Sequence, residues 1–91
     1  MKSIYKYPIH RAHREEIILP LEQILTVQLQ NHIPCLWAMI DDDKPKKKIA
    51  VWIIWTGWDL SPLKDKNLIY ISTVQDESGF VWHFFYEIIE E

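Results

Sequence analysis

Apolar and polar residues alternate with a period of two along much of the chain. Between Gln23 and Gln30, Leu25, Val27 and Leu29 fall on one side, and mainly polar residues fall on the other. This alternation is typical of a half-buried β-strand, because successive side chains point to opposite faces. The period of two, rather than 3.6, predicts an all-β fold.

A two-residue turn at Asn31 and His32 is predicted between this strand and a second one at Pro34–Ile40. Asparagine suits such hairpin turns, although histidine at the second position is less usual than glycine. The simplest register gives these cross-strand pairs: Leu25 with Ala38, Thr26 with Trp37, Val27 with Leu36, and Gln28 with Cys35.

Other strands follow from β-branched and aromatic content. They are predicted at residues 49–55, 68–75 and 80–88, with shorter ones at 3–7 and 16–19. A four-residue turn at 76–79 would pair Tyr70 with Phe85, Ile71 with Phe84, Ser72 with His83, and Thr73 with Trp82. The polar segment 10–16 is either a loop or one helical turn. We expect one domain over residues 1–91, a small antiparallel sheet that curls into a sandwich or open barrel.

The segments Ile49–Trp55 and Phe80–Ile88 are apolar on both faces. An antiparallel sheet in a small domain usually leaves one face in water. Either the sheet closes on itself, or a second chain covers its outer side. We therefore expect a homo-oligomer, a dimer or a dimer of dimers, with Trp52, Trp55 and Trp82 at the subunit contacts.

Composition and charge narrow the class of protein. The chain has 10 Lys and Arg against 13 Asp and Glu, which gives a net charge of −3 and disfavours general nucleic-acid binding. One cysteine excludes an internal disulfide framework. No apolar run approaches the roughly 18 residues of a membrane span, and the N-terminus lacks a signal peptide. We expect a soluble intracellular protein without a membrane partner.

Three groups of residues resemble catalytic or metal-binding patterns only weakly. His10 and His13 lie in a polar segment without further ligands, and Asp41–Asp43 lack the spacing of a calcium loop. Cys35 lies near His32, but inside a predicted strand and without a third orienting group. No metal, cofactor or catalytic residue is therefore predicted. The Lys44–Lys48 loop is either solvated or a basic lip for a phosphate or an acidic partner.

The longest irregular segment, Thr56–Asn67, is the strongest functional candidate by length. Gly57 permits a positive φ or a close backbone approach, which could present N–H groups to an anion beside Thr56. Trp58 either folds over the core or stacks on a base, and Trp37 has the same two roles open to it. His83 either contacts a ligand or transfers a proton, or else its ring is hydrogen-bonded by Ser72 or by the backbone.

Several short motifs follow one another along nearly the whole chain. They are YKYP at 5–8, ILTVQLQN at 24–31, PCLWA at 34–38, TG at 56–57, YISTVQ at 70–75 and VWHFF at 81–85. In combination they resemble a family of small proteins of unknown function encoded by tailed bacteriophages and prophages. The basic segment His10–Glu16 and Trp55 before Thr56 depart from that pattern, and Trp55 could alter or block a site there.

The resemblance implies a phage accessory protein that acts in the host bacterial cytoplasm. Other small, β-rich, oligomeric phage proteins counter host antiviral defence. By analogy with them, this protein would sequester a small nucleotide signal in a pocket of the oligomer, without any enzymatic reaction. Trp37 or Trp58 would stack on a base, while Thr56, Gly57 and nearby lysines would hold phosphate. His83, Tyr5 and Tyr7 would complete the pocket. The alternative is a protein–protein inhibitor of a host defence or replication protein, and an enzyme using His83 or Cys35 is the weakest hypothesis.

Overall fold

The computed structural model describes all 91 residues and contains seven β-strands and a single 3-10 turn. The strands are β1 (Lys2–Pro8), β2 (Arg14–Leu19), β3 (Leu21–Gln30), β4 (Ile33–Asp41), β5 (Lys47–Trp55), β6 (Ile69–Gln75) and β7 (Val81–Glu90). The predicted all-β class is confirmed. The helical turn occurs at Ser61–Leu63 and not in the segment 10–16, and no helix is long and apolar enough to cross a membrane.

The strands form two antiparallel sheets that do not close into a barrel. Sheet A has the strand order β1-β4-β3, and sheet B has the order β2-β5-β7-β6. Pro20 separates β2 from β3, where its missing N–H interrupts strand pairing and the chain passes from sheet B to sheet A. The carbonyl of Pro20 accepts a hydrogen bond from the backbone N–H of Asp41, 2.9 Å away.

The hydrophobic core lies between the two sheets and follows from the alternation along their strands. Its largest fully buried side chains are Phe84, Leu19, Leu36, Ile49, Val27 and Val51. On β5, Ile49, Val51 and Ile53 point into this core, and on the facing sheet Val27 and Leu36 lie directly opposite each other. Burial of such side chains is the main stabilising contribution to the fold.

One side of the sandwich is held by a side-chain hydrogen bond rather than by a strand ladder. We call the contact between β3 and β6 the seam. Ser72 is 8% exposed, and its hydroxyl accepts a hydrogen bond from the backbone N–H of Val27 at 2.9 Å. The same hydroxyl lies 3.0 Å from Oγ1 of Thr26. The seam therefore satisfies a backbone donor that would otherwise be buried without a partner.

The hairpin of β3 and β4 agrees with its prediction except at Leu25. Asn31 and His32 have φ values of 51° and 68°, as a type I′ turn requires. Three of the predicted pairs are present: Thr26 with Trp37, Val27 with Leu36, and Gln28 with Cys35. A bulge at Leu25 places Ile24, and not Leu25, opposite Ala38, so this pair is wrong and Leu25 is 37% exposed.

The hairpin of β6 and β7 departs from its prediction because Phe80 belongs to the turn. The Asp76 carboxylate accepts hydrogen bonds from the backbone N–H groups of Ser78 and Phe80, at 2.9 and 3.0 Å. The turn therefore has one residue more than predicted, and Thr73 pairs with His83 instead of Trp82. Ser72 pairs with Phe84 rather than His83, and a bulge at Ile71 restores the predicted pair of Tyr70 with Phe85.

The outer face of β5 is covered within the single chain. Ala50 and Ile54 are 0% and 6% exposed, and the segment that follows β5 packs over Ile54. Trp52 lies beneath the cations of Arg14 and Lys66, at 5.3 and 5.5 Å from its ring centroid. The apolar outer face of this strand therefore does not by itself require a second subunit, and the homo-oligomer stays a prediction.

Candidate ligand-binding site

Aromatic side chains gather at the end of the sandwich where β5 ends and β7 begins. Trp55 and Trp82 are directly opposite each other in the sheet, and their ring centroids are 5.2 Å apart. Phe80 meets the Trp55 ring edge-on at 5.6 Å, and Trp58 lies 6.5 Å from Trp55 and 5.2 Å from the ring of His13. We call these five residues the mouth. Tilted and edge-on contacts of this kind are favourable beyond the burial of the ring surfaces alone.

A pocket of about 250 Å³ opens beside the mouth. Trp55, Trp82 and Ile53 form its wall on sheet B, and Ile9, Pro34 and residues 10–12 complete the lining. Liquid water occupies about 30 Å³ per molecule, so the pocket holds roughly eight waters or one small ring system. We call it the mouth pocket.

The polar rim of the mouth pocket is the segment between β1 and β2. The Glu15 carboxylate accepts hydrogen bonds from the backbone N–H groups of His10 and Arg11, at 2.7 and 3.1 Å. The carbonyl of His13 accepts one from the N–H of Ile53 at 2.9 Å, which joins the end of the segment to β5. Arg11 is exposed and forms no ion pair, so its charge is available to an anion.

Trp82 carries an unsatisfied polar group into this region. Its indole N–H is buried and has no hydrogen-bond acceptor, and it is the only buried side-chain polar atom in the structure without a partner. Leaving a buried donor unpaired costs about 1–3 kcal/mol, so the burial of this N–H destabilises the fold and offsets part of the gain from aromatic packing. Unsatisfied groups of this kind are uncommon in folded proteins and call for an explanation.

A second polar feature lies on the outer face of sheet B. His83 Nε2 is 2.8 Å from the Thr56 hydroxyl, and His83 Nδ1 is 3.0 Å from the Thr73 hydroxyl. The Thr73 hydroxyl is in turn 2.8 Å from the phenolic oxygen of Tyr70. The direction of each hydrogen bond depends on which ring nitrogen of His83 carries a proton. Both ring nitrogens are thus satisfied, and not by Ser72, which lies in the seam.

Four of the seven predicted ligand-binding residues, Thr56, Gly57, Trp58 and His83, lie near one another, but none of them lines the mouth pocket. Thr56 contacts His83 directly, Gly57 follows with φ of 91°, and Trp58 lies in the mouth, 45% exposed. Gly57 adopts a conformation that residues with a Cβ seldom occupy, which explains the glycine. The chain turns here, so Thr56 and Trp58 belong to neighbouring but different surfaces.

The other three predicted residues lie elsewhere. Trp37 is on the outer face of sheet A, where the Lys6 ammonium lies 5.9 Å from its ring centroid. Tyr7 packs against the core, and burial raises the pKa of its phenol. Tyr5 is 56% exposed on β1, opposite Ala38. None of the three lines the mouth pocket.

The lysines of the predicted Lys44–Lys48 loop, of which Lys47 and Lys48 lie in β5, are largely paired with carboxylates. Lys44 contacts Glu22, while Lys47 and Lys48 lie 3.5 and 3.6 Å from Glu91 and Glu90. Hydrogen bonds from Lys2 and Lys44 hold the pKa of Glu22 at about 2, well below its ordinary value of 4.5. The carboxylates of residues 41–43 surround the N-terminal ammonium at 2.6–3.3 Å. This loop therefore offers a phosphate fewer free cations than its sequence suggests.

The sequence pattern alone predicts His10 and Arg11 to lie in a solvated segment, and Trp55 and Trp82 to lie at subunit contacts. In the structure all four line the mouth pocket. The signal that could have found them is the direct pairing of the two tryptophans. It requires β5 to lie beside β7, which strand patterns alone do not indicate.

The fold and site define a two-sheet β-protein with an aromatic, cation-rimmed pocket at one end. The chain belongs to a family described as a domain of unknown function (DUF7352), whose model matches residues 1–91. No curated protein and no solved structure shows a significant match.

Proposed function

We propose that the protein binds a small anionic ligand of the nucleotide class, with its base in the mouth pocket and its phosphate outside the pocket beside Arg11, and retains it unchanged. The observation that carries this proposal is the pairing of two tryptophan rings, Trp55 and Trp82, with the unpaired cation of Arg11 around one cavity. Stacking of a base on an aromatic side chain contributes about 1–3 kcal/mol. A guanidinium suits phosphate because its N–H groups can bind two oxygens at once.

The binding role is assigned residue by residue. Trp55 or Trp82 offers the stacking surface, Arg11 holds the anion, and His10 adds a second polar group at the rim. Trp58 and His13 border the mouth and extend its aromatic surface. Sequestration requires tight binding and no turnover, so these residues need only bind and orient the ligand.

The resemblance of the sequence to small phage and prophage proteins supplies the biological setting of the proposal. Retention of a nucleotide signal in the host bacterial cytoplasm would remove it from an antiviral pathway. The mouth pocket is open at the end of the sandwich, and a second copy of the chain placed over it would enclose the ligand. Such a homo-oligomer belongs to the proposal.

A thermal-shift assay with cyclic and ADP-ribose-type nucleotides tests the binding. We expect at least one of these nucleotides to raise the melting temperature of the wild-type protein by mass action. Arg11→Gln should reduce the shift, while Lys46→Gln, which removes an exposed cation from another loop, should not. No shift with any nucleotide, or equal shifts in both variants, would refute the assigned site.

Recovery of the ligand distinguishes retention from turnover. The complex is incubated, denatured by heat, and the released nucleotide is identified by mass spectrometry. Unchanged nucleotide supports sequestration. A converted nucleotide would show that the protein is an enzyme.

A second candidate function is inhibition of a host protein by docking through the outer face of sheet A. Ile4 is 57% exposed there and lies opposite Met39. Exposed apolar residues that cluster on one face are typical of protein-binding surfaces. If this candidate is right, Ile4→Glu will abolish recovery of one defined host protein, whereas Ile18→Glu, at an exposed position on the other sheet, will not.

A further inference from the structure

The segment between β5 and β6 covers the part of the outer face of sheet B around Ile54 and Phe85, without filling the space beneath it. A second pocket of about 260 Å³ remains under the segment. Ile54 of β5 and Phe85 of β7 form its floor, on the opposite face of the sheet from the core-facing Trp55 and Trp82. We call it the outer pocket.

Leucines make the wall of the outer pocket. Leu60, Leu63 and Leu68 line it, although the segment that carries them is otherwise mostly polar. Leu60 is 51% exposed, so its side chain stands beside the opening rather than in the core. A ligand that covered these side chains would remove apolar surface from water, which favours binding.

The volume limits the ligand to a short apolar group. At about 30 Å³ per water, 260 Å³ corresponds to roughly eight or nine water-sized groups. Drug-sized ligands usually occupy pockets of about 300 Å³ or more, so the outer pocket suits something smaller.

Charge at the rim determines the head group of the ligand. Lys64 and Lys66 both line the opening. Lys66 is engaged, because its ammonium lies 4.0 Å from the Glu87 carboxylate and 5.5 Å from the Trp52 ring centroid. Lys64 forms no ion pair with any carboxylate of the chain, so it is the cation available to an incoming anion.

We propose that the outer pocket binds a medium-chain carboxylate, with the alkyl chain against the leucines and Phe85 and the carboxylate beside Lys64. The tail length follows from the volume, and the sign of the head group follows from Lys64, the cation at the rim that has no partner. This site is separate from the mouth pocket and does not depend on the proposed nucleotide binding.

A nuclear magnetic resonance titration of the full chain with octanoate tests the proposal. We expect saturable shifts in the amide signals of residues 60–68 and of Ile54 and Phe85. Octylammonium, which has the same tail and the opposite charge, should bind more weakly. Shifts spread over the whole chain, or equal affinity for the two amphiphiles, would overturn the proposal.

Two variants locate the interaction. Lys64→Gln should weaken octanoate about two- to five-fold, the effect of losing one exposed ion pair, while Lys46→Gln should leave it unchanged. Leu60→Gln places a polar group at the wall in a position too exposed to be needed for folding, and should weaken octanoate and octylammonium alike. Unchanged octanoate affinity in both Lys64→Gln and Leu60→Gln would overturn the assignment.

Discussion

The seam and the mouth lie in the same small sandwich but treat polar groups in opposite ways. In the seam, the Ser72 hydroxyl accepts a hydrogen bond from the buried N–H of Val27. In the mouth, the buried indole N–H of Trp82 has no acceptor, and the half-buried rings of Trp55 and Trp82 line an open pocket. The difference indicates that the seam is organised for stability, whereas the mouth keeps surface and a donor that folding alone does not require.

The largest expected effect is a difference in unfolding free energy between two variants, in which a core phenylalanine or a mouth phenylalanine is replaced by alanine. Phe84 is fully buried, so Phe84→Ala should lower the free energy of unfolding by about 3–5 kcal/mol. Phe80 is 56% exposed in the mouth, and Phe80→Ala should cost about 1 kcal/mol or less. Urea unfolding monitored by circular dichroism measures both, and equal losses would contradict the distinction.

The seam itself is tested by two serines. Ser72→Ala leaves the Val27 N–H without its acceptor and should cost about 1–3 kcal/mol. Ser78→Ala changes an exposed turn residue and should stay within about 0.5 kcal/mol of the wild type. Chemical denaturation of the two variants gives the comparison. A Ser72→Ala protein as stable as the control would mean that the seam contributes little.

The next prediction compares two tryptophans, one whose indole N–H has a hydrogen-bond acceptor and one whose indole N–H has none. The Trp52 N–H donates to the Glu87 carboxylate at 2.7 Å, whereas the Trp82 N–H has no acceptor. Trp52→Phe should therefore destabilise the fold by about 1–2 kcal/mol more than Trp82→Phe. Thermal and urea unfolding measure the difference, and a larger loss for Trp82→Phe would show that its indole N–H is satisfied in solution.

The smallest expected effect is a pH dependence of the stability, caused by the ion pairs of Glu22 with Lys2 and Lys44. The pKa of Glu22 is lowered to about 2 in the folded protein by Lys2 and Lys44, against an ordinary value of 4.5. A lowered carboxyl pKa stabilises the fold above pH 4.5, and that stabilisation is lost as the pH falls toward 2. Glu22→Gln lacks this contribution, so its deficit should be largest above pH 4.5 and should shrink toward pH 2.

Unfolding by urea across this pH range measures the deficit of Glu22→Gln. Asp65→Asn, at an exposed position without an ion pair, serves as the control. A deficit that is independent of pH, or the same in both variants, would contradict the assigned role of Glu22.

The elements that sequence could predict are those set by neighbouring residues. The hairpin of β3 and β4 depends on a two-residue turn, and the register follows directly from Asn31 and His32. The predicted turn between β6 and β7 is one residue too short. The Asp76 carboxylate accepts hydrogen bonds from the N–H groups of Ser78 and Phe80, and this draws Phe80 into the turn. This one extra residue shifts the pairs from Gln75 to Ser72, until the bulge at Ile71 restores the predicted pair of Tyr70 with Phe85.

The site was harder to predict because it depends on contacts between strands that are distant in sequence. Thr56 and His83 were each selected as candidates, but their 2.8 Å contact arises only because β5 lies beside β7. The same adjacency creates the pair of Trp55 and Trp82. Alternation along a strand shows which faces are apolar, but it does not show which strand becomes the neighbour.

The indole N–H signals of the five tryptophans test the central claim most directly. Each gives one resonance in a proton–nitrogen spectrum, and the nucleotide that gives the largest thermal shift is titrated into the protein. The account predicts that the signals of Trp55, Trp58 and Trp82 move in a saturable manner, while that of Trp37 stays in place. Movement of Trp37 alone, or of none of the five, would contradict a nucleotide site at the mouth.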